Sequence, residues 1–150
     1  MIIQKEVQQW AVDLIEAAKI AGLKAVQRIG RFEIDTSDPR SIAKFVAIAP
    51  CALVEMGNAT GKDLDSTGSM SATEYDMYVW TLTRMAGPAN VATSDAADAM
   101  AEAIEHALKG QLYKGTDYYG ELRWKGTATG MPEDHSCLIL AHQFCFLAFD

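Results

Sequence analysis

Cysteine is scarce in this chain. The three present, Cys51, Cys137 and Cys145, are an odd number and all lie in apolar segments, a pattern of buried, reduced thiols rather than of a disulfide framework. Positive charge is also short. Thirteen Lys and Arg stand against 20 Asp and Glu, a formal net charge of -7. Such a surface repels phosphate, which excludes tight nucleic-acid binding through a basic footprint and docking on anionic lipid, yet lets DNA slide past without sticking. Long apolar runs are missing too. None reaches the roughly 18 residues of a membrane-spanning helix, and the amino-terminal MIIQKEVQQW is broken by Lys5, Glu6, Gln8 and Gln9, so no signal peptide is expected. The sequon Asn58-Ala59-Thr60 is then a chance match.

What is there suffices for one domain spanning residues 1–150, with 49% hydrophobic and 22% charged residues. Ile3, Val7, Trp10, Leu14, Ala17, Ala18 and Ala21 recur at three- and four-residue steps and predict a helix over 3–21 stopped by Gly22. A strand is expected over 24–34. Asp38-Pro39 then reads as a cap and first turn for a short helix with Ile42, Phe45, Val46 and Ala49 on one stripe, ended by Pro50. Cys51 to Met56 is almost wholly apolar, a strand covered on both faces. Residues 57–72, rich in Gly, Ser, Thr and Asp, predict a long functional loop. Strand-like alternation resumes over 73–85, with Tyr75, Met77, Val79, Thr81 and Thr83 on one face. The loop and its flanking runs make a long-tipped hairpin.

A second helix is expected from Ser94 to Lys109, with Asp95 and Asp98 in its first turn and Met100, Ile104, Leu108 and Leu112 along its stripe. An ordered, aromatic loop spans 110–120. Residues 121–129 alternate, with Leu122, Trp124 and Ala128 pointing one way, and SCLILAHQFCFLAF closes the chain as a strand apolar on both faces. The expected fold is α+β: a mixed or antiparallel sheet of about four to five strands, two main helices packed on it, and the long hairpin.

No constellation that carries chemistry survives inspection. His135, Cys137, His142 and Cys145 are zinc-type ligands, but on a strand His142 faces away from the other three. Cys137 and Cys145 also lie roughly 26 Å apart at about 3.3 Å per residue. Gly57-Asn58-Ala59-Thr60-Gly61-Lys62 resembles a phosphate loop one residue short, with Asp63 where a hydroxyl belongs and no helix to follow. There is no G-x-S-x-G, and Ser136 and His135, as strand neighbours, face opposite ways. Asp63/Asp65 and Glu133/Asp134 read as solvated loop charge, and His106 as a surface histidine. No catalytic residue, cofactor or metal ligand is assigned.

The order of elements resembles the tail terminator, or tail completion, subunits of Mu-like tailed phages and prophages. The resemblance is carried by the leading helix 3–21, the stretch Phe45-Val46-Ala47-Ile48-Ala49-Pro50 running into Cys51-Ala52-Leu53-Val54-Glu55-Met56, the extended strand 73–85, the helix 94–109 and two closing strands. It spans nearly the whole chain as a pattern without a diagnostic short motif. The family's Arg-rich segment near the long strand is reduced here to Arg84. The resemblance implies a virion subunit assembled in the host cytoplasm and forming a homo-oligomeric ring, hexameric by analogy. That ring would cap the tail tube protein at the head–tail interface, meet the head–tail connector protein and let DNA through without sequence-specific binding, with no membrane partner. Lys62, Asp63, Asp65 and Met70 in the loop, and Tyr113, Tyr118 and Tyr119 as exposed aromatics, are the expected interface residues. Two other readings remain: a head-completion or adaptor protein that binds a portal, and a small ligand-binding or enzymatic domain with a pocket of Tyr75, Tyr78, Trp80 and His142.

Overall fold

The computed structural model describes residues 2–38, 40–63, 68, 71–84, 91–115, 117–130 and 137–149. Among these residues nine elements follow in order: α1 (Ile2–Ala17), β1 (Ala25–Arg28), α2 (Arg40–Val46), β2 (Cys51–Asp63), β3 (Ser71–Arg84), α3 (Val91–Leu108), β4 (Leu112–Lys114), β5 (Tyr119–Gly130) and β6 (Cys137–Phe149). All six strands form one sheet in the order β1-β2-β3-β6-β5-β4. The β1–β2 pair is parallel and the others are antiparallel. The class is α+β as expected, with six strands among the described residues in place of about four to five.

Side-chain alternation divides the sheet into two faces. On the first, Ala52, Val54 and Met56 of β2, Tyr75, Met77 and Val79 of β3, and Phe144, Phe146 and Ala148 of β6 pack with Leu122 of β5. They meet Val7, Ala11, Val12 and Ile15 of α1 and Ile104 and Leu108 of α3. Helices α1 and α3 thus bury their apolar stripes here, each large side chain contributing about 1.5–3 kcal/mol on burial. On the second face, Cys51, Leu53, Leu82, Cys137 and Ile139 are covered by Ile42 and Phe45 of α2 and by Ile29 and Ile34. Among the described residues only one end of that face is roofed. The β6 strand, apolar on both faces, lies between β3 and β5; its first face is covered by α1 and α3, and its second face is covered by α2 at the Cys137–Ile139 end.

Several boundaries differ from expectation. Helix α1 stops at Ala17; Lys19 (φ 48°) and Gly22 (φ 81°) take the left-handed turns that lead into β1. The strand expected over 24–34 is only Ala25–Arg28. The chain leaves the sheet after Ile29, whose N–H still bonds Val54 O at 2.9 Å, to lay Ile34 over the second face. Asp38 caps α2 through Arg40 N–H (3.1 Å), and Pro39 lies outside the described residues. Helix α3 begins at Val91, so Asp95 falls after its first turn.

The largest correction concerns 57–72. Residues Gly57–Asp63 continue β2 past a register shift between Met56 and Ala59, with Thr60 opposite Glu74 and Asp63 opposite Ser71. They carry no apolar alternation because residues 58–63 are exposed on both faces of the ribbon; α1 touches only its start, where Gln4 Nε2 bonds Gly57 O at 3.3 Å. Main-chain pairing holds the ribbon together without it. Similarly, the aromatic loop at 110–120 contains β4, whose Leu112, Tyr113 and Lys114 oppose Glu121, Gly120 and Tyr119.

Candidate assembly surfaces

Of the residues expected at an interface, Asp65 and Met70 lie outside the described residues, and the other five separate into three environments. Lys62, near the end of β2, places Nζ 2.6 Å from Glu74 Oε2. Lys125 reaches the same carboxylate from β5, Nζ to Oε1 at 2.8 Å. The Glu74 side chain is only 9% exposed, while the two lysines are about half exposed. The carboxylate is therefore covered by its own partners rather than by a layer of protein. The lysine hydrogen bonds, Lys125 first, hold its pKa down to about 2. Asp63 is exposed at the end of the strand.

The tyrosines divide in the same way. Tyr118 is buried, correcting its expected exposure, and donates its hydroxyl to Glu6 Oε2 at 2.7 Å. Burial, and then that hydrogen bond to a carboxylate, raise its pKa. Tyr113 is half-buried, its ring 5.0 Å from Trp10 and 5.7 Å from Tyr118. Tyr119 is 57% exposed and stacks on Phe149 at 5.3 Å. Leu112, next to Tyr113 in β4, is 73% exposed.

Sequence reasoning missed Glu74 and Lys125 because the clean alternation expected in β5 is broken. A register shift between Trp124 and Gly126 inserts Lys125 as an extra residue, and Gly126 adopts φ 150°. Beyond it, Thr127 opposes His142 and Ala128 opposes Ala141, so Ala128 points away from the side of Leu122. A glycine inside an alternating strand is the signal that could have revealed this bulge. The bulge sends Lys125 to Glu74 and brings Thr127 to His142.

His142 is 1% exposed, with Nε2 2.9 Å from Thr81 Oγ1 and Nδ1 3.1 Å from Thr127 Oγ1. Burial lowers its pKa to about 4, so the ring is neutral at pH 7. The pocket imagined from Tyr75, Tyr78, Trp80 and His142 does not exist. Tyr75 and His142 are on the first face, Tyr78 and Trp80 on the second. Trp80 instead donates its indole N–H to Glu55 Oε1 at 2.9 Å, and Glu55 Oε2 accepts the N–H of Phe32 at 3.0 Å. Cys145 and His142 point to opposite faces, and His135 lies outside the described residues.

No family model matches the chain, and no curated protein matches it. A solved structure is similar. It is a chain of the "Virion of native gene transfer agent (GTA) particle", 16% identical, with a TM-score of 0.49 over 97% of this chain and 91% of that chain.

Two clefts flank the sheet. Lys5, Glu6, Gln9, Trp10, Asp13, Arg28 and Tyr113 line an open one of about 580 Å³. Arg28 is on β1 and Tyr113 on β4, so the two outermost strands border the same cleft and the sheet curls around α1. A second groove runs between α3 and β5, with Asp98, Glu102 and Glu105 on its wall and Trp124, Thr127, Thr129 and Leu140 below. No helix among the described residues is long and apolar enough to cross a membrane.

Proposed function

We propose that this chain is a structural virion subunit of a phage-like particle, which forms a ring capping the tail tube and joining it to the head connector. The observation that carries the reading is how the fold uses its polar groups. Glu55, Glu74, His142 and Tyr118 are each taken up by internal partners, and they lie apart on two faces of the sheet. The large exposed apolar side chains Phe32, Leu112, Tyr119 and Trp124 lie on the surface, where they suit protein contacts. The order of elements also supports it: a leading helix, a short helix ending at Val46 ahead of Pro50, a long hairpin, a helix and closing strands. On this reading the chain has no catalytic role and meets three partners: itself, the tube and the connector. An acidic ring lets DNA pass without trapping it.

The test is genetic and microscopic. Inactivating the gene in a producing host should leave tails of uncontrolled length and heads without tails. Adding the purified chain to isolated tubes should decorate one end, seen by electron microscopy. Particles assembled normally without this chain would refute the proposal.

A further inference from the structure

The two edges of the sheet are stepped in opposite senses. On one edge, β1 covers only Cys51 to Val54 of β2; the exposed stretch Ala59–Asp63 has β3 on one side and no strand among the described residues on the other. On the opposite edge, β4 covers only Tyr119 to Glu121 of β5, leaving the main chain from Arg123 onward open among the described residues.

Register carried across the sheet shows that the steps complement each other. Gln27 pairs with Leu53, Leu53 with Trp80, Trp80 with Ala141 and Ala141 with Ala128. Strand β1 therefore lies level with the open stretch of β5. In the same way Thr60 pairs with Glu74, Glu74 with Leu147, Leu147 with Glu121 and Glu121 with Leu112, so β4 lies level with the open stretch of β2. Each edge protrudes by one strand where the other is recessed by one.

Two further observations fall on the same edges. Phe32, 87% exposed, sits at the step beside β2, where Phe32 N–H bonds Glu55 and Arg31 Nη2 bonds Gly57 O. Trp124, 40% exposed, sits at the step on β5; Leu112 and Tyr119 are exposed on the other face of the sheet, at the β4 end of the same edge. Charge is complementary too. Arg28 and Arg31 are exposed at the β1 edge, whereas Asp98, Glu102 and Glu105 of α3 wall the groove along the open part of β5, with Lys109 the cation over Trp124. Arg28 is level with Thr127, which lines that acidic groove.

We infer that copies of this chain join edge to edge: β1 of one copy seats antiparallel on Thr127–Gly130 of the next, and β4 of that second copy seats parallel on Thr60–Lys62 of the first. The contact uses main-chain hydrogen bonds along open strands. It brings together two different surfaces of the same chain, so it is heterologous and can close a ring. The inference rests on the reading of this chain as a self-assembling subunit and names the surface by which it assembles.

Cross-linking with the full chain tests it. Gln27→Cys and Ala128→Cys are made as separate proteins, mixed, and treated with a short thiol-to-thiol reagent. The native thiols are buried. Each variant carries one introduced thiol, so a link between Gln27→Cys and Ala128→Cys forms only between copies. Facing residues on paired strands bring Cβ atoms to about 5 Å. The expected product is a dimer containing one of each variant, at least about tenfold above either variant alone. Arg28→Glu should weaken association about tenfold by light scattering, one decade of Kd being the scale of a single charge contact, and Glu102→Lys should restore it. Oligomers in which each variant links only to itself, or to nothing, would overturn the edge contact while leaving the ring reading intact. A chain that stays monomeric and unlinked at every concentration also overturns the edge contact; the ring reading is then decided by the tail-tube experiment.

Discussion

His142 Nε2 lies 2.9 Å from Thr81 Oγ1 beneath α3, and Thr127 Oγ1 approaches the other ring nitrogen at 3.1 Å. The ring is neutral in the folded state because burial lowers its pKa from 6.5 to about 4. The unfolded chain takes up a proton as pH falls through 6.5, whereas the folded chain does so only near 4. This contribution to stability is therefore complete above pH 6.5 and is lost progressively towards pH 4. The full loss is on the order of 3 kcal/mol, at about 1.4 kcal/mol per pH unit. Urea unfolding at pH 7, 5.5 and 4.5 should show the decline in the native chain, and His142→Gln should remove about one proton's worth of slope in this window.

Glu74 acts in a lower window. Its folded pKa of about 2 lies below the ordinary 4.5, so its stabilisation is present above pH 4.5 and disappears as pH falls towards 2. Glu74→Gln should cost about 1 kcal/mol at pH 7, since both lysines are half in water and salt screens them. The cost should shrink at high salt. Equal unfolding midpoints for variant and native chain at low salt would contradict this account.

Gly120 has no room for a side chain. A Cβ there would lie 2.6 Å from Leu147 O and against the Phe146 ring, which packs among Trp10, Tyr113 and Tyr118. Gly120→Ala should destabilise by about 1–3 kcal/mol through overpacking, and near-ultraviolet circular dichroism should change as the rings shift. Gly61→Ala, which meets nothing within 4 Å, is the control and should be close to neutral.

The thiols should be inert in the folded chain. Burial is the main cause that pushes Cys51 up to about 12 and Cys145 up to about 11, and Cys137 is fully buried. A thiol reagent at pH 8 should label none quickly in buffer and all three in denaturant. Rapid labelling in buffer would show that the sheet opens locally.

Much of the architecture was legible because burial imposes a period. Helices α1 and α3 and both faces of β3 could be read from the spacing of Val7, Ile104, Tyr75 and Leu82. The two-faced apolarity of β6 announced an interior strand. Where burial is absent, so is the period. Gly57–Asp63 forms a strand through main-chain pairing and the Lys62–Glu74 ion pair, without a buried apolar face, and β4 is three residues with an exposed leucine, so both read as loop. The bulge at Lys125 was hidden for another reason: a one-residue slip reverses every later side chain, and Gly126 was its only local mark.

The amino-acid sequence by itself determined the element types with a core stripe and the acidic charge, because these depend on residue identity and short spacing. Only the tertiary structure decided that β6 lies between β3 and β5, that Lys62 and Lys125 share Glu74, and that β1 and β4 step the two edges in register. Those facts depend on which distant strands exchange hydrogen bonds, and the long-range register that sets them leaves no periodic trace along the chain.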